Sequence, residues 1–147
     1  MPADGGAGLP GTDRAKVVQA YRTGGRAVRT AAAAALVGNA DAVATFLSER
    51  LAAATAEDNR FTLTQALVSA GKATRTGIGQ ALSGGEAAVA AYLAGGFQSA
   101  VHEDLRVAVT TVNAHGGKAV KRESSEALTT GTDFALRSFL SLSLIHI

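Results

Sequence analysis

The sequence predicts an all-α protein of tandem helical repeats, with about three short helices in every 46 residues, stacked as a solenoid-like array. Ala-Leu pairs recur every 46 residues, ending at Leu36, Leu82 and Leu128. Apolar residues make up 47% of the 147-residue chain and aromatic residues only 5%, and alanine, the strongest helix former, dominates. No segment shows the sustained period-two alternation of a strand. A compact helical bundle that retains the repeat only as an evolutionary trace is the alternative.

The repeat divides the chain into five segments. Residues 1–11 contain both prolines and are expected to form a flexible N-terminal tail. The repeats occupy residues 12–57, 58–103 and, in shortened form, 104–141. The third copy has one extra residue near Gly131, so Phe46 and Tyr92 correspond to Phe139.

Each repeat is expected to contain three helices. The first opens at an N-cap residue whose side chain can accept a hydrogen bond from a free amide, at Thr12, Asp58 or Asp104. It ends at a glycine or glycine pair, which is expected to take the left-handed conformation of a helix C-cap. The glycine positions are Gly24-Gly25, Gly71 and Gly116-Gly117. The second helix stops near Gly38, Gly84 or Thr130, and the third carries the Phe46, Tyr92 or Phe139 position.

The combination of these motifs resembles the ALF repeats of actinobacterial proteins. The first copy carries the motifs Thr12-Asp13-Arg14, Gly24-Gly25-Arg26-Ala27-Val28, Ala35-Leu36 and Phe46-Leu47. The second carries Asp58-Asn59-Arg60, Gly71-Lys72-Ala73, Ala81-Leu82 and Tyr92-Leu93. The third carries Asp104-Leu105-Arg106, Gly116-Gly117-Lys118-Ala119-Val120, Ala127-Leu128 and Phe139-Leu140. The resemblance implies a mostly secreted protein without established activity, for which a role in signalling has been suggested. It supplies no catalytic residues. No signal peptide is recognisable in this chain, so the expectation of an extracellular location rests on the resemblance alone.

The last six residues, Leu142 to Ile147, do not follow the repeat. They match one reading frame of the mosaic-end adapter used in transposon-based sequencing libraries (CTG TCT CTT ATA CAC ATC). We therefore interpret residues 142–147 as adapter read-through. A natural apolar tail is the alternative.

The chemically capable side chains form no recognisable catalytic, cofactor or metal site, so we expect a non-enzyme that needs no cofactor. His102 and His115 lack the spacing that places two metal ligands on one helix face, and His146 lies in the suspect tail. The paired carboxylates Glu57-Asp58 and Glu103-Asp104 are expected at helix N-termini, where the helix dipole favours negative charge. No serine lies in a nucleophile-elbow pattern. The net charge of +2 is too small to indicate nucleic acid by itself.

Basic residues repeat at two positions three residues apart, on one face of each second helix. The six residues, here called the basic ladder, are Arg26, Arg29, Lys72, Arg75, Lys118 and Lys121. In a stacked array they would form a line of positive charge able to bind an anionic polymer through phosphate groups. The alternative is a set of solvated helix faces that keep an alanine-rich chain soluble. No aromatic residues are interleaved with them, which argues against stacking on single-stranded bases.

A second basic series, Arg14, Arg60 and Arg106, is expected to be structural, pairing with Glu57, Glu103 or the carbonyl groups of a neighbouring helix. Together the observations favour a non-catalytic structural or interaction module. Its partner would be a protein or an anionic cell-surface polymer, and no segment is long and apolar enough to span a membrane. An accessory repeat segment of a larger secreted enzyme or toxin is the alternative.

Overall fold

The computed structural model describes residues 12–145, which contain helices and no strand. The α-helical segments are α1 (Asp13–Thr23), α2 (Arg26–Val37), α3 (Ala40–Thr45), α4 (Leu51–Ala66), α5 (Lys72–Ser83), α6 (Glu86–Ala91), α7 (Phe97–His115), α8 (Lys118–Thr130) and α9 (Asp133–Ile145). A single π-helical turn at Phe46–Arg50 joins α3 to α4, and the segment Tyr92–Gly96 joins α6 to α7 across a kink, so the described residues form seven helices. The predicted all-α class and packed helical array are confirmed.

The chain divides into two compact units, which comprise residues 1–65 and 66–147. In the first unit, α1 packs along α2, and both contact α3 and the π turn after it. Phe46, in that turn, is fully buried among Val17, Val28 and Ala32, and Ala54 of α4 closes the same core. The small side chains allow helices to approach closely around the single aromatic ring.

In the second unit, α7 is the central helix and packs against α5, α8 and α9. Its Val109 is fully buried in a core with Ala127, Leu136 and Phe139. Here too, one aromatic residue is surrounded by aliphatic side chains from three helices.

The prediction that helices begin at Asp58 and Asp104 is wrong. Thr12 does cap α1, with its hydroxyl accepting from the Ala15 amide at 3.1 Å. Asp58 and Asp104, however, lie inside α4 and α7. The alanine-rich sequence before Asp58 contains no helix-breaking residue, so the third helix of one repeat continues as the first helix of the next. Before Asp104, Gly95 departs from helical geometry and kinks the helix, which then runs on from Phe97.

The prediction of left-handed glycines at the ends of the first helices is also wrong. Gly24 and Gly116 end α1 and α7 in extended conformations, whereas α4 already ends at Ala66. Among the described residues, only Gly85 and Gly131 have φ angles in the positive range that favours glycine, at 93° and 70°. The physical reason for glycine at Gly24 and Gly116 is steric, because a Cβ atom there would overlap a valine side chain one turn later.

Residues 142–145 belong to α9, although they do not follow the repeat. His146 and Ile147 lie outside the described residues, as does the predicted tail of residues 1–11. The adapter origin of the last six residues stays a prediction.

Candidate functional site

A carboxylate from one helix caps another helix in the first unit. Asp58, on α4, accepts hydrogen bonds from the backbone amides of Ala27 at 2.8 Å and Val28 at 3.0 Å. These amides belong to the first turn of α2, whose own N-cap residue, Gly25, has no side chain to bond them. A Cβ atom on Gly25 would lie 2.5 Å from the Asp58 carboxyl carbon, so glycine is needed to admit the carboxylate. We call this arrangement an aspartate clamp.

The second unit contains an equivalent aspartate clamp. Asp104, on α7, accepts from the amides of Ala73 at 2.8 Å and Thr74 at 2.9 Å, in the first turn of α5. Burial acts to raise the pKa of Asp104, but hydrogen bonds from the Thr74 hydroxyl and from both amides outweigh it and lower the pKa. Gly71 again leaves the space that the carboxylate occupies. The carboxylate is therefore held in its ionised form by the end of another helix.

These contacts correct the predicted role of the paired carboxylates. Asp58 and Asp104 do benefit from a helix N-terminus, but it belongs to a neighbouring helix rather than to their own. Glu57 and Glu103 lie beside them as exposed residues inside α4 and α7. Sequence reasoning missed the clamp because it placed the helix boundaries at the aspartates. The repeated Gly-Asp spacing was the available signal.

A groove of about 1080 Å³ opens beside the second clamp. Its wall includes Tyr92, whose hydroxyl donates to the Thr74 carbonyl at 3.3 Å. Burial, and to a smaller extent the charge of Asp104, raises the pKa of Tyr92. A Cβ atom on Gly77 would lie 2.8 Å from the tyrosine ring, so this glycine makes room for it.

The basic ladder residues are all exposed and lie in the first turns of α2, α5 and α8. Arg75 also donates from its Nε to the Ala70 carbonyl at 3.0 Å. Among the residues that the structure describes, ion pairs join Lys16 to Asp13 and His102 to Asp133, and none involves a ladder residue. The ladder residues therefore keep their charges available to solvent. The alignment of the three pairs along an array stays a prediction.

The structural role predicted for the repeated arginines is confirmed at Arg14, whose guanidinium donates to the Leu36 carbonyl near the end of α2. The guanidinium of Arg106 lies near Gly131, at the end of α8. The role of Arg60 stays a prediction.

The described histidines contact neighbouring helix ends or backbone. His102 Nδ1 lies 2.5 Å from a carboxylate oxygen of Asp133, which joins α7 to the first turn of α9. His115 Nδ1 lies 2.9 Å from the Thr111 carbonyl. Sequence reasoning missed the His102–Asp133 contact because Ala56 occupies the corresponding position of the preceding repeat, so the repeat gave no signal for it.

Within residues 12–145, no group of three or more histidine or acidic side chains converges as a metal site would require. None of the helices in this range has the length and apolar character needed to cross a membrane.

Comparison with known families finds a match to the ALF model, described as short repeats of unknown function, at residues 14–54 and 106–142. The two matches start at Arg14 and Arg106, at equivalent positions of the first and third repeats. The segment between them carries Gly77, Tyr92 and most of the residues that line the groove. No curated protein matches the chain.

Proposed function

The chain belongs to the ALF family of short repeats, and we propose that it is a non-catalytic module that presents a helical surface to a protein partner. Such a module would suit a signalling protein, in which recognition rather than turnover is needed. Helical repeats commonly act in this way because they build extended surfaces rather than a single buried pocket.

The observation that carries this proposal is that the acidic and histidine side chains best suited to catalysis are bonded to other helices. Asp58 and Asp104 are bonded to helix-end amides, and His102 is paired with Asp133. General acid-base catalysis requires groups that are free to exchange a proton with a substrate in a shared site. These groups instead join helices to one another, which favours a structural use of the carboxylates and of this histidine.

Exposed apolar side chains supply the second line of support. Val37 is 89% exposed, and Phe61, Val68 and Phe134 also present most of their surface to solvent. Exposed apolar side chains mark protein interaction sites when they are grouped on the surface. A partner protein would remove these apolar surfaces from water.

The proposal can be tested by photo-crosslinking in the source cells. Benzoyl-phenylalanine would replace Val37, Phe61 or Phe134, and exposed Gln98 would serve as the control position. We expect a discrete protein adduct from at least one apolar position, competed by the unmodified chain, and none from position 98. Equal adducts at all four positions, or turnover of a substrate that is abolished by Asp104→Asn without loss of stability, would contradict the proposal.

The exposed basic ladder supports a second candidate, the binding of an anionic cell-surface polymer. Each pair lies beside a helix N-terminus, and no described carboxylate forms an ion pair with its side chains. Polymer binding through phosphate groups would weaken steeply with added salt.

The matched test compares two double variants that remove the same charge. Lys118→Gln with Lys121→Gln removes one ladder pair, and Arg22→Gln with Arg50→Gln removes two exposed cations outside it. Poly(glycerol phosphate) is the probe, and duplex DNA is the comparison. We expect the ladder variant alone to reduce the affinity and to lower the salt slope by about one or two units. Equal losses in both variants would indicate only a general effect of charge.

A further inference from the structure

The groove in the second unit is bordered by a short segment that has a glycine pair at each end. This segment, residues 86–94, is here called the lid and lies between Gly84-Gly85 and Gly95-Gly96. It comprises α6 and the residues that follow it, and Tyr92 and two of its alanines form one wall of the groove. We propose that the lid tilts between the open position in this structure and a closed position that buries Tyr92 and removes the groove.

The first repeat shows the packing that a closed lid would reach. Glu49 and Arg50 stand there in place of the second glycine pair, and the helix continues through its π turn into α4 without a kink. In that continuous arrangement Phe46 is fully buried in the core. Its counterpart in the second repeat, Tyr92, is only half-buried because it borders the groove.

The two glycine pairs supply the backbone freedom that tilting requires. Gly85 has a φ of 93°, in the range that favours glycine. Gly95 departs from helical geometry, and a Cβ atom added there would meet nothing within 4 Å. Glycine at this position is therefore not explained by a close approach of another group, as it is at Gly71. Hinges are a few residues at the ends of structural elements that absorb the change in backbone angles, and these residues are often small.

The contacts of the lid limit its motion to a tilt. Val89 is 1% exposed and holds the lid in the core. The contacts of Tyr92 are weaker, because its hydroxyl donates to the Thr74 carbonyl at 3.3 Å and its ring lies 6.5 Å from that of Phe97, centroid to centroid. Across the groove, the Asp104 clamp fixes α7 to α5. The lid is therefore the wall of the groove that can move.

Closure of the lid would change the surface that the second unit offers to a ligand. The open position exposes a groove of about 1080 Å³, and the closed position would remove it. A ligand that enters the groove would therefore bind only the open state and shift the lid toward it. The lid itself requires no partner, so its motion and the proposed interaction function can be tested separately.

Tyrosine fluorescence can follow the lid. The chain has two tyrosines and no tryptophan, so Tyr21→Phe leaves Tyr92 as the only tyrosine. In that background, Gly95→Ala with Gly96→Ala should favour the continuous helix by about fivefold for each substitution, because alanine is the better helix former. Acrylamide quenching of Tyr92 should then fall severalfold. The control Gly79→Ala makes the same change at an exposed position of α5 and should leave the quenching unchanged.

Nuclear magnetic resonance of the ¹⁵N-labelled parent chain provides a second measurement that needs no substitution. Relaxation dispersion should reveal exchange on the microsecond-to-millisecond timescale at the amides of residues 84–97, and less at the corresponding residues 38–51. Absence of exchange in the lid would overturn the proposal. So would unchanged or stronger quenching in the Gly95→Ala, Gly96→Ala variant with its helical circular dichroism intact, or an equal fall in quenching in Gly79→Ala.

Discussion

The two aspartate clamps hold amides at equivalent positions of two repeats but are built into different surroundings. In the first unit, Asp58 bonds an amide of Val28, and the fully buried ring of Phe46 lies nearby in the same core. In the second, the corresponding residues are Thr74 and Tyr92, which add hydroxyl groups to the hydrogen bonds. The clamp therefore tolerates either an apolar or a polar setting. The first unit relies more on buried volume and the second more on hydrogen bonds.

The largest expected difference between the units is at the aromatic position. Phe46→Ala removes a fully buried ring and should lower the free energy of unfolding by about 3–5 kcal/mol. Tyr92→Ala should cost only about 2 kcal/mol because Tyr92 is half-buried beside an open groove. Urea unfolding followed by circular dichroism measures both. A larger loss of unfolding free energy in Tyr92→Ala than in Phe46→Ala would contradict this prediction.

Removal of either clamp should have the next largest effect. Asp58→Ala and Asp104→Ala each leave two first-turn amides without their acceptor and should cost about 1–2 kcal/mol, as loss of a helix cap does. The matched Asn variants keep one acceptor oxygen and should lose less. Thermal unfolding of the four variants tests this. If Glu57→Ala, an exposed neighbour of Asp58, destabilises as much as Asp58→Ala, the clamp is not the cause.

The clamp in the second unit should also make stability depend on pH. Because its hydrogen bonds lower the pKa of Asp104 in the folded state, the stabilisation is present above the unfolded pKa, near 4, and is lost as the pH falls through the folded value. The difference in unfolding free energy between the parent chain and Asp104→Asn should therefore shrink in acid. Urea titrations between pH 3 and pH 7 measure it. A constant difference over that range would show that ionisation is not involved.

Substitution of two glycines by alanine should change the free energy of unfolding by smaller amounts and in opposite directions. Gly71→Ala places a methyl group against the Asp104 carboxylate and should lower the free energy of unfolding by about 1 kcal/mol by weakening the cap. Gly79→Ala meets nothing within 4 Å inside α5 and should raise it by about 0.5–1 kcal/mol. Differential scanning calorimetry measures whether each substitution stabilises or destabilises the chain. Stabilisation by both substitutions would mean that Gly71 is not needed to admit the carboxylate.

The smallest effect is expected from the tyrosine hydroxyl. Tyr92→Phe gives the second unit the aromatic residue of the first and removes the 3.3 Å bond to the Thr74 carbonyl, at a cost of about 0.5 kcal/mol. Because the pKa of Tyr92 is raised, the folded state disfavours its ionisation, and stability is lost as the pH rises above about 10. The phenylalanine variant should lose less stability in that range. Unfolding of the parent chain and of Tyr92→Phe at pH 8 and pH 11 measures how much stability each loses.

The sequence predicted the helical class and the ends of the second helices, because periodic apolar residues and glycine interruptions report local structure. It predicted three separate helices where the structure has continuous ones, since an N-cap residue such as Asp58 is equally compatible with a helix interior when alanines precede it. The exposure of the basic ladder could be predicted because its residues repeat three apart on one face of each second helix. The clamps did not follow, because hydrogen bonds such as that from Ala27 to Asp58 join residues 31 positions apart, and local spacing does not report such contacts.

The π turn at Phe46–Arg50 has a genetic consequence. A π turn holds about one residue more than an α-helical turn, so loss of a single codon there, for example that of Ser48, would allow the turn to become α-helical. Because the shortened α-helical turn covers about the same angle as the π turn, the side chains after it would keep nearly their positions around the helix axis. Ala54 would stay in the core and Asp58 would stay directed at α2. This turn should therefore tolerate the loss of one codon, which in a regular α-helix would rotate every later side chain by about 100°.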